Sequence, residues 1–195
     1  MAKTFVEDFR TAIISMIFFT ALCGLAYPLL MTGVAQGIFP RQADGSLVKV
    51  NGEAVGSSLV GQNFSGPEYF HPRLSAAGAD GYDGGASSGS NLGPSSQVLI
   101  DRVTESLAAI REENGLASDA PVPVDAVTAS ASGLDPHISP AYADLQVARV
   151  ARERGMSEDA VRALVEKHTD GSTFLVLGEP RVNVLRLNIA LDEAE

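Results

Sequence analysis

Residues 11–40 read TAIISMIFFTALCGLAYPLLMTGVAQGIFP and carry no charged side chain. A helix needs roughly 20 apolar residues to cross a hydrocarbon core of about 30 Å. The spacing therefore predicts a membrane helix over residues 11–35, after a short N-terminal segment at residues 1–10. Pro28 lies inside the run and is expected to kink the helix, which membrane helices tolerate. Gly24, Gly33 and Gly37 either let a second helix approach closely or reflect background composition. The run is longer than the 7–15-residue apolar core of a secretory leader, and no A-x-A site follows it. The preceding MAKTFVEDFR mixes Glu7 and Asp8 with Lys3 and Arg10. The segment is read as an anchor that stays on the chain. Cys23, the sole cysteine, follows Leu22, where a lipoprotein site wants a small residue. A single cysteine also excludes an intrachain disulfide.

Positive charge flanking the span comprises Lys3 and Arg10 on one side and Arg41 and Lys49 on the other, a near tie under the positive-inside rule. The free amino terminus tips the balance toward an inside N-terminus. The remainder, residues 41–195, holds 12 Lys+Arg against 22 Asp+Glu, so the whole formal charge of −10 sits there. Nucleic acid, whose phosphates want a basic patch, is excluded as a partner on that ground. The size of this part suits one domain.

Local patterns predict mixed secondary structure. In LVKVNGEAVGSSLV, Val48 and Val50 alternate, Asn51-Gly52 signals a type I′ turn and Val55 resumes a strand. Ser95 or Ser96 is expected to cap a helix in which Leu99, Val103, Leu107 and Ile110 recur at helical spacing, and Gly115 stops it. A short strand or helical turn is expected over residues 124–128. Ser139 is placed to cap a second helix with Pro140 at its first position, ending at Gly155. Ser157 caps a third, with Glu158 and Asp159 suited to the helix dipole. The final RVNVLRLNIALDEAE is read as a strand whose phase slips between Val184 and Leu185, through a β-bulge or an isolated exposed apolar residue.

Motifs for chemistry are weak. Residues 69–96, YFHPRLSAAGADGYDGGASSGSNLGPSS, hold six of the 19 glycines. Residues 78–93 contain no lysine, so they make no P-loop. Asp80 and Asp83 are too few oxygens for a calcium loop. His71, His137 and His168 are 66 and 31 residues apart and form no zinc pattern. No G-x-S-x-G elbow is present, and no nucleophile–base pair is evident. ADLQVARVARERGMSEDAVRALVEKH has the look of a helix-turn-helix, which would suit a membrane-anchored regulator. Its second helix carries Glu158, Asp159 and Glu166 against Arg162 and Lys167, so an αα-hairpin packed in a core is the preferred reading.

GQNF, YFHPR, SSGSNLGP, VTASASGLDPHISP, QVARVARERG and GEPRVNVLRLNIALDE follow one another behind the single span. This order resembles the KdpC family, the small subunit of the bacterial Kdp potassium-transporting P-type ATPase, over nearly the whole chain. The family usually has S-G-G-S-N where this chain has Ser87-Ser88-Gly89-Ser90-Asn91, and often proline where Leu74 stands. The resemblance implies an α+β fold: one transmembrane helix, then a single mixed α/β periplasmic domain over residues 36–195, in the bacterial inner membrane with a cytoplasmic N-terminus. It implies no catalytic residue, bound cofactor or metal on this chain, with ATP and potassium handled by the complex. Expected partners are a catalytic P-type ATPase subunit, a channel-like potassium-binding subunit, a tiny one-helix subunit and the lipid bilayer. The implied role is to stabilise assembly and raise the ATP affinity of the catalytic subunit. The charge of −10 suggests a further part, helping to present potassium at the outer pore mouth. A free-standing periplasmic binding module is the other alternative. The residues expected to shape loops or meet partners are Gln62, Asn63, Phe64, Phe70, His71, Pro72, Arg73, Ser90, Asn91, Asp135, Pro136, His137, Ser139, Pro140, Asn183 and Asn188. Phe70 and Pro72 are expected to anchor the glycine–serine stretch, and Asn91 to fix its backbone by hydrogen bonds.

Overall fold

The computed structural model describes residues 2–174 and 176–194; Met1 and Glu195, the outer ends of the segments expected from sequence, lie outside the described residues. The chain divides into two compact units, Met1–Leu47 and Val48–Glu195. In the first, the uncharged run folds as α1 (Ala2–Phe19), a π-helical stretch (Thr20–Ala26) and α2 (Tyr27–Ile38), followed by a single turn, α3 (Pro40–Ala43). Residues Thr4–Ile38 are long and apolar enough to cross a membrane, and their large apolar side chains are exposed. Where a kink at Pro28 was expected, the helix carries the π-helical stretch just ahead of the proline. Proline lacks the N–H of the ladder and its ring crowds the carbonyl four residues back. The wider turn shifts the bonding by one residue, so the Tyr27 N–H reaches the Leu22 carbonyl.

The expected hairpin follows, β1 (Leu47–Val50) and β2 (Glu53–Ser57), and all of it past Leu47 belongs to the second unit. Asn51 and Gly52 both have positive φ, 52° and 88°, as a type I′ turn requires. The helices follow as α4 (Gln97–Glu113), the short α5 (Val124–Val127), α6 (Pro140–Arg154) and α7 (Glu158–Lys167). Ser139 Oγ accepts from the Tyr142 N–H and Ser157 Oγ from the Ala160 N–H, so these two expected caps form; Ser96 takes the N-cap position of α4 with extended backbone but makes no side-chain cap bond. Gly155, at φ 64°, ends α6. The segments β3 (His137–Ile138), β4 (Thr169–Asp170) and β5 (Arg181–Asn183) make an antiparallel sheet with β5 in the middle.

The C-terminal strand is a correction. Only Arg181–Asn183 is strand; the chain then turns into α8 (Val184–Asp192). Asn183 Oδ1 accepts the Arg186 N–H and caps this helix. Val184, Leu185, Leu187, Asn188 and Leu191 are its buried face, at helical spacing. The phase slip at Val184–Leu185 is the point where the apolar period changes from two to 3.6. The core gathers α6, α7, α8 and β5 around Phe70, Ile138, Val147, Val150, Val161, Val182, Leu187 and Leu191. Each such side chain taken out of water contributes about 1.5–3 kcal/mol.

Candidate functional site: a bracketed extended segment and its cleft

Pro136 and the residue pair Phe70-His71 show how buried backbone is satisfied where no sheet runs. Phe70 is fully buried. Its N–H donates to Asn188 Oδ1 (2.9 Å), and its carbonyl accepts from Asn188 Nδ2 (3.0 Å). The next residue repeats the pattern: the His71 N–H donates to Gln146 Oε1 (2.7 Å), and its carbonyl accepts from Gln146 Nε2 (3.1 Å). Two carboxamides, from α8 and α6, thus act as a substitute strand along residues 70–71. The carbonyl of Pro136, a buried residue, accepts the Val184 N–H (3.0 Å).

Arg149 completes the framework. It is 1% exposed. Nε donates to Asn114 Oδ1 (3.1 Å), Nη2 to Gln146 Oε1 (2.7 Å), and Nη1 to the carbonyls of Tyr69 (3.0 Å) and Pro67. Burial pulls its basicity down, and the Glu113 carboxylate, 3.6 Å from Nε, opposes that pull. Arg154 repeats the theme on the outer side. Its Nε donates to the Glu68 carbonyl (2.7 Å), Nη2 pairs with Asp192 (2.7 Å), and its guanidinium lies 4.9 Å from the centre of the Tyr69 ring.

His71 joins this framework to a cleft of about 350 Å³. Its Nδ1 is 2.7 Å from Glu113 Oε1, and Nε2 is 2.9 Å from the Gly66 carbonyl. The hydrogen bond from His71 holds the Glu113 carboxyl below its ordinary range; burial opposes this, and the charges of His71 and Arg149 add to it. Asn63, Phe64, Arg73, Tyr82 and Tyr142 also line the cleft. Burial pushes both tyrosine hydroxyls well above the usual phenol range. Beside it, Arg73 Nη1 donates to Asp135 Oδ2 (3.2 Å), while Asp135 Oδ1 accepts the His137 N–H (3.0 Å). Burial alone would raise the Asp135 carboxyl; the bonds from His137 and the charges of Arg73 and His137 hold it below its usual value.

The other expected residues are placed as follows. Gln62 Nε2 donates to the Val55 carbonyl (2.8 Å) and seats the hairpin. Phe64 lies against Tyr69, ring centres 5.5 Å apart. Pro72 is buried. Ser139 and Pro140 start α6, and Asn183 Nδ2 donates to the Ser58 carbonyl (2.9 Å) as well as capping α8. Ser90 and Asn91 are exposed. Asn91 differs from expectation: no hydrogen bond from its side chain is seen among the described residues. Its contribution is a backbone at φ 51°, which asparagine adopts more readily than most residues.

The glycine–serine stretch is held by others. Ser75 Oγ donates to the Gly133 carbonyl (2.6 Å) and accepts the Tyr82 N–H (2.8 Å); Tyr82 OH donates to the Arg73 carbonyl (2.6 Å). The Ser88 N–H donates to the Ser132 carbonyl (3.0 Å). Gly133, at φ 67°, packs so closely that an added Cβ would sit 2.6 Å from the Ser88 carbonyl oxygen. Two family-like stretches far apart in sequence are thus one packed loop pair. Sequence reasoning missed Gln146, Arg149, Glu113 and Tyr82. A signal existed for two of them: Gln146 and Arg149 fall on the same α6 face as Tyr142, Ala143, Val147 and Val150, where polar groups need partners. The α6–α7 pair is a packed αα-hairpin, and Arg162 on α7 is held by Asp144 (3.1 Å).

The arrangement holds backbone: its carboxamides and guanidinium bond chiefly to main-chain groups. Similarity to known proteins covers the same ground. Residues 9–193 match the family described as KdpC, the K+-transporting ATPase c chain. A potassium-transporting ATPase KdpC subunit of Koribacter versatilis (strain Ellin345) is 54% identical over 186 residues, 95% of this chain and 94% of that protein. Subunits of the same name from Burkholderia mallei (strain SAVP1) and Burkholderia pseudomallei (strain K96243) are 54% identical over 187 residues, 96% of each chain. This chain, with its membrane-length helix and its α+β domain, belongs to the KdpC family of K+-transporting ATPase subunits.

Proposed function

We propose that this chain is a non-catalytic accessory subunit of a high-affinity, ATP-driven potassium uptake complex. It stabilises assembly, and it raises the ATP affinity of a separate catalytic P-type subunit without touching the nucleotide. The observation that carries this reading is the destination of three buried polar side chains: Gln146, Arg149 and Asn188 bond to the chain's own backbone, to one another and, from Arg149, to Asn114. Groups committed in that way hold a rigid body together, as a subunit that works through assembly needs. The span crosses the bacterial inner membrane once at residues 11–35. Residues 1–10 lie in the cytoplasm and residues 36–195 in the periplasm, against a channel-like potassium subunit, the catalytic subunit and a small one-helix subunit. An outer domain cannot meet cytoplasmic ATP, so its influence on ATP affinity is a coupling free energy across the membrane. Its net charge of −10 also enriches cations at the pore mouth, within a screening length of about 8 Å at physiological salt.

Photolabelling the intact complex with an ATP analogue tests the division of labour. Label should fall on the catalytic subunit, and complexes lacking this chain should need more ATP for half-maximal turnover. Label on this chain that excess ATP displaces, or unchanged ATP dependence without it, refutes the proposal.

A further inference from the structure

His71 is placed so that both of its ring nitrogens face acceptors. Nδ1 lies 2.7 Å from Glu113 Oε1, and Nε2 lies 2.9 Å from the Gly66 carbonyl oxygen. A neutral imidazole has one N–H and one lone pair, so it donates to only one of the two. The Gly66 carbonyl has no proton to give, and it also accepts the Tyr69 N–H (3.1 Å). A second proton must therefore sit on the ring or on Glu113. The surroundings favour the ring. Arg149 Nε stands 3.6 Å from the same Glu113 oxygen, and its positive charge favours a carboxylate there. The Glu113 carboxyl is accordingly held below its ordinary range, with the bond from His71 as the largest cause. An imidazolium donates from both nitrogens, which matches both distances.

What the ring joins gives that proton a consequence. Gly66 and His71 belong to the extended segment, and Glu113 is the last residue of α4. Both line the cleft of about 350 Å³, through Phe64 and His71 on the segment and Ser106 and Glu113 on α4. The apolar seating of α4 is thin: of its 17 residues only Ile110 is buried. Polar ties hold its C-terminal end, where His71 takes Glu113 and Arg149 takes Asn114 (3.1 Å). The other charged or titratable groups around the pair are Arg149 and Tyr142 on α6, Asp125 on α5, Glu68 beside Gly66, and Arg73, Asp80 and Tyr82 along the cleft.

We propose that His71, with a proton on each ring nitrogen, is a proton-dependent link between the extended segment and the C-terminal end of α4, and that loss of one ring proton releases this end and loosens the cleft wall. In a neutral ring one nitrogen turns a lone pair toward an oxygen, and that contact becomes repulsive. The linked state holds one more proton than the released state, so rising pH favours release. Toward acid the link lasts until Glu113 takes up a proton, below its ordinary 4.5. The link itself is independent of the accessory-subunit reading; only its exposure to the acidity of the medium rests on the outer placement given there.

The test takes the full-length chain in detergent, with nitrogen-15 in its histidines, through a pH series. The ring shifts of His71, identified by their absence from His71→Gln, report its protons. Hydrogen exchange of the α4 peptide 105–113 is followed on the same samples and corrected for base catalysis, with α6 as the internal reference. Protection of α4 should fall roughly ten-fold as the second ring proton leaves, as loss of a charge-assisted hydrogen bond implies, while α6 stays unchanged. His71→Gln should remove the step. Glu113→Gln should remove it and keep α4 protected at alkaline pH, because a carboxamide N–H donates to Nδ1 of a neutral ring whose Nε2–H still reaches Gly66. If His71→Gln fails to fold, Glu113→Gln decides by itself. A ring with one proton throughout the series, α4 protection that does not follow the ring proton, or an undiminished step in Glu113→Gln overturns the link.

Discussion

Replacing Asn188 by leucine conserves side-chain volume and deletes both hydrogen bonds that bracket Phe70. Asn188 is 1% exposed and Phe70 0%, so water has no route to the two backbone groups left behind. An unsatisfied buried donor or acceptor costs about 1–3 kcal/mol. With two stranded on one residue, the expected loss is about 4 kcal/mol, or roughly 1,000-fold in the folding constant. Phe70 sits in the apolar core, and its neighbour His71 carries the Glu113 contact, so the loss should spread to the cleft. The assay is denaturant unfolding of the full chain in detergent, followed by tyrosine fluorescence. The chain has no tryptophan, and Tyr69, Tyr82 and Tyr142 all report on the second unit while the apolar helix stays folded. The midpoint should fall with an unchanged denaturant slope. A loss below about 1 kcal/mol would mean that the Phe70 backbone finds other partners and that the carboxamide bracket is not what holds residues 70–71.

Gly133→Ala should destabilise by about 2–4 kcal/mol, since its Cβ meets the Ser88 carbonyl and the Ala77 N–H at φ 67°; Gly84→Ala, with open space around it, should change the same unfolding midpoint by under about 0.5 kcal/mol. Glu113 titrates below its ordinary 4.5 when folded, so its contribution is fully present above that pH and is lost as pH falls through the lower folded value; Glu113→Gln should flatten this acid limb in thermal melts taken across the range. Tyr82 and Tyr142 titrate above their ordinary 10.0, so the unfolded chain loses protons first and stability should fall as pH rises past 10; the double Tyr→Phe variant should weaken that alkaline decline.

The amino-acid sequence alone determined the features that depend on near neighbours. The membrane-length helix follows from an uncharged run, the hairpin from Asn51-Gly52, and the starts of α6 and α7 from Ser139 and Ser157, because each rests on contacts within a few residues. The turn of the chain from strand into helix at Val184 was visible only as a slip of phase. Valine and leucine suit either state, and the choice falls to the Asn183 cap and to burial of Leu187 and Leu191 against the core. The site divides in the same way. Phe70, His71, Asn183 and Asn188 stood out in their local motifs, but their partners did not: 118 residues separate Phe70 from Asn188, and 75 separate His71 from Gln146. No local pattern tells which distant carboxamide will satisfy a given buried N–H. Only the packing of α6 and α8 around the extended segment decides it, because a buried polar group takes whichever partner the tertiary structure brings within about 3 Å.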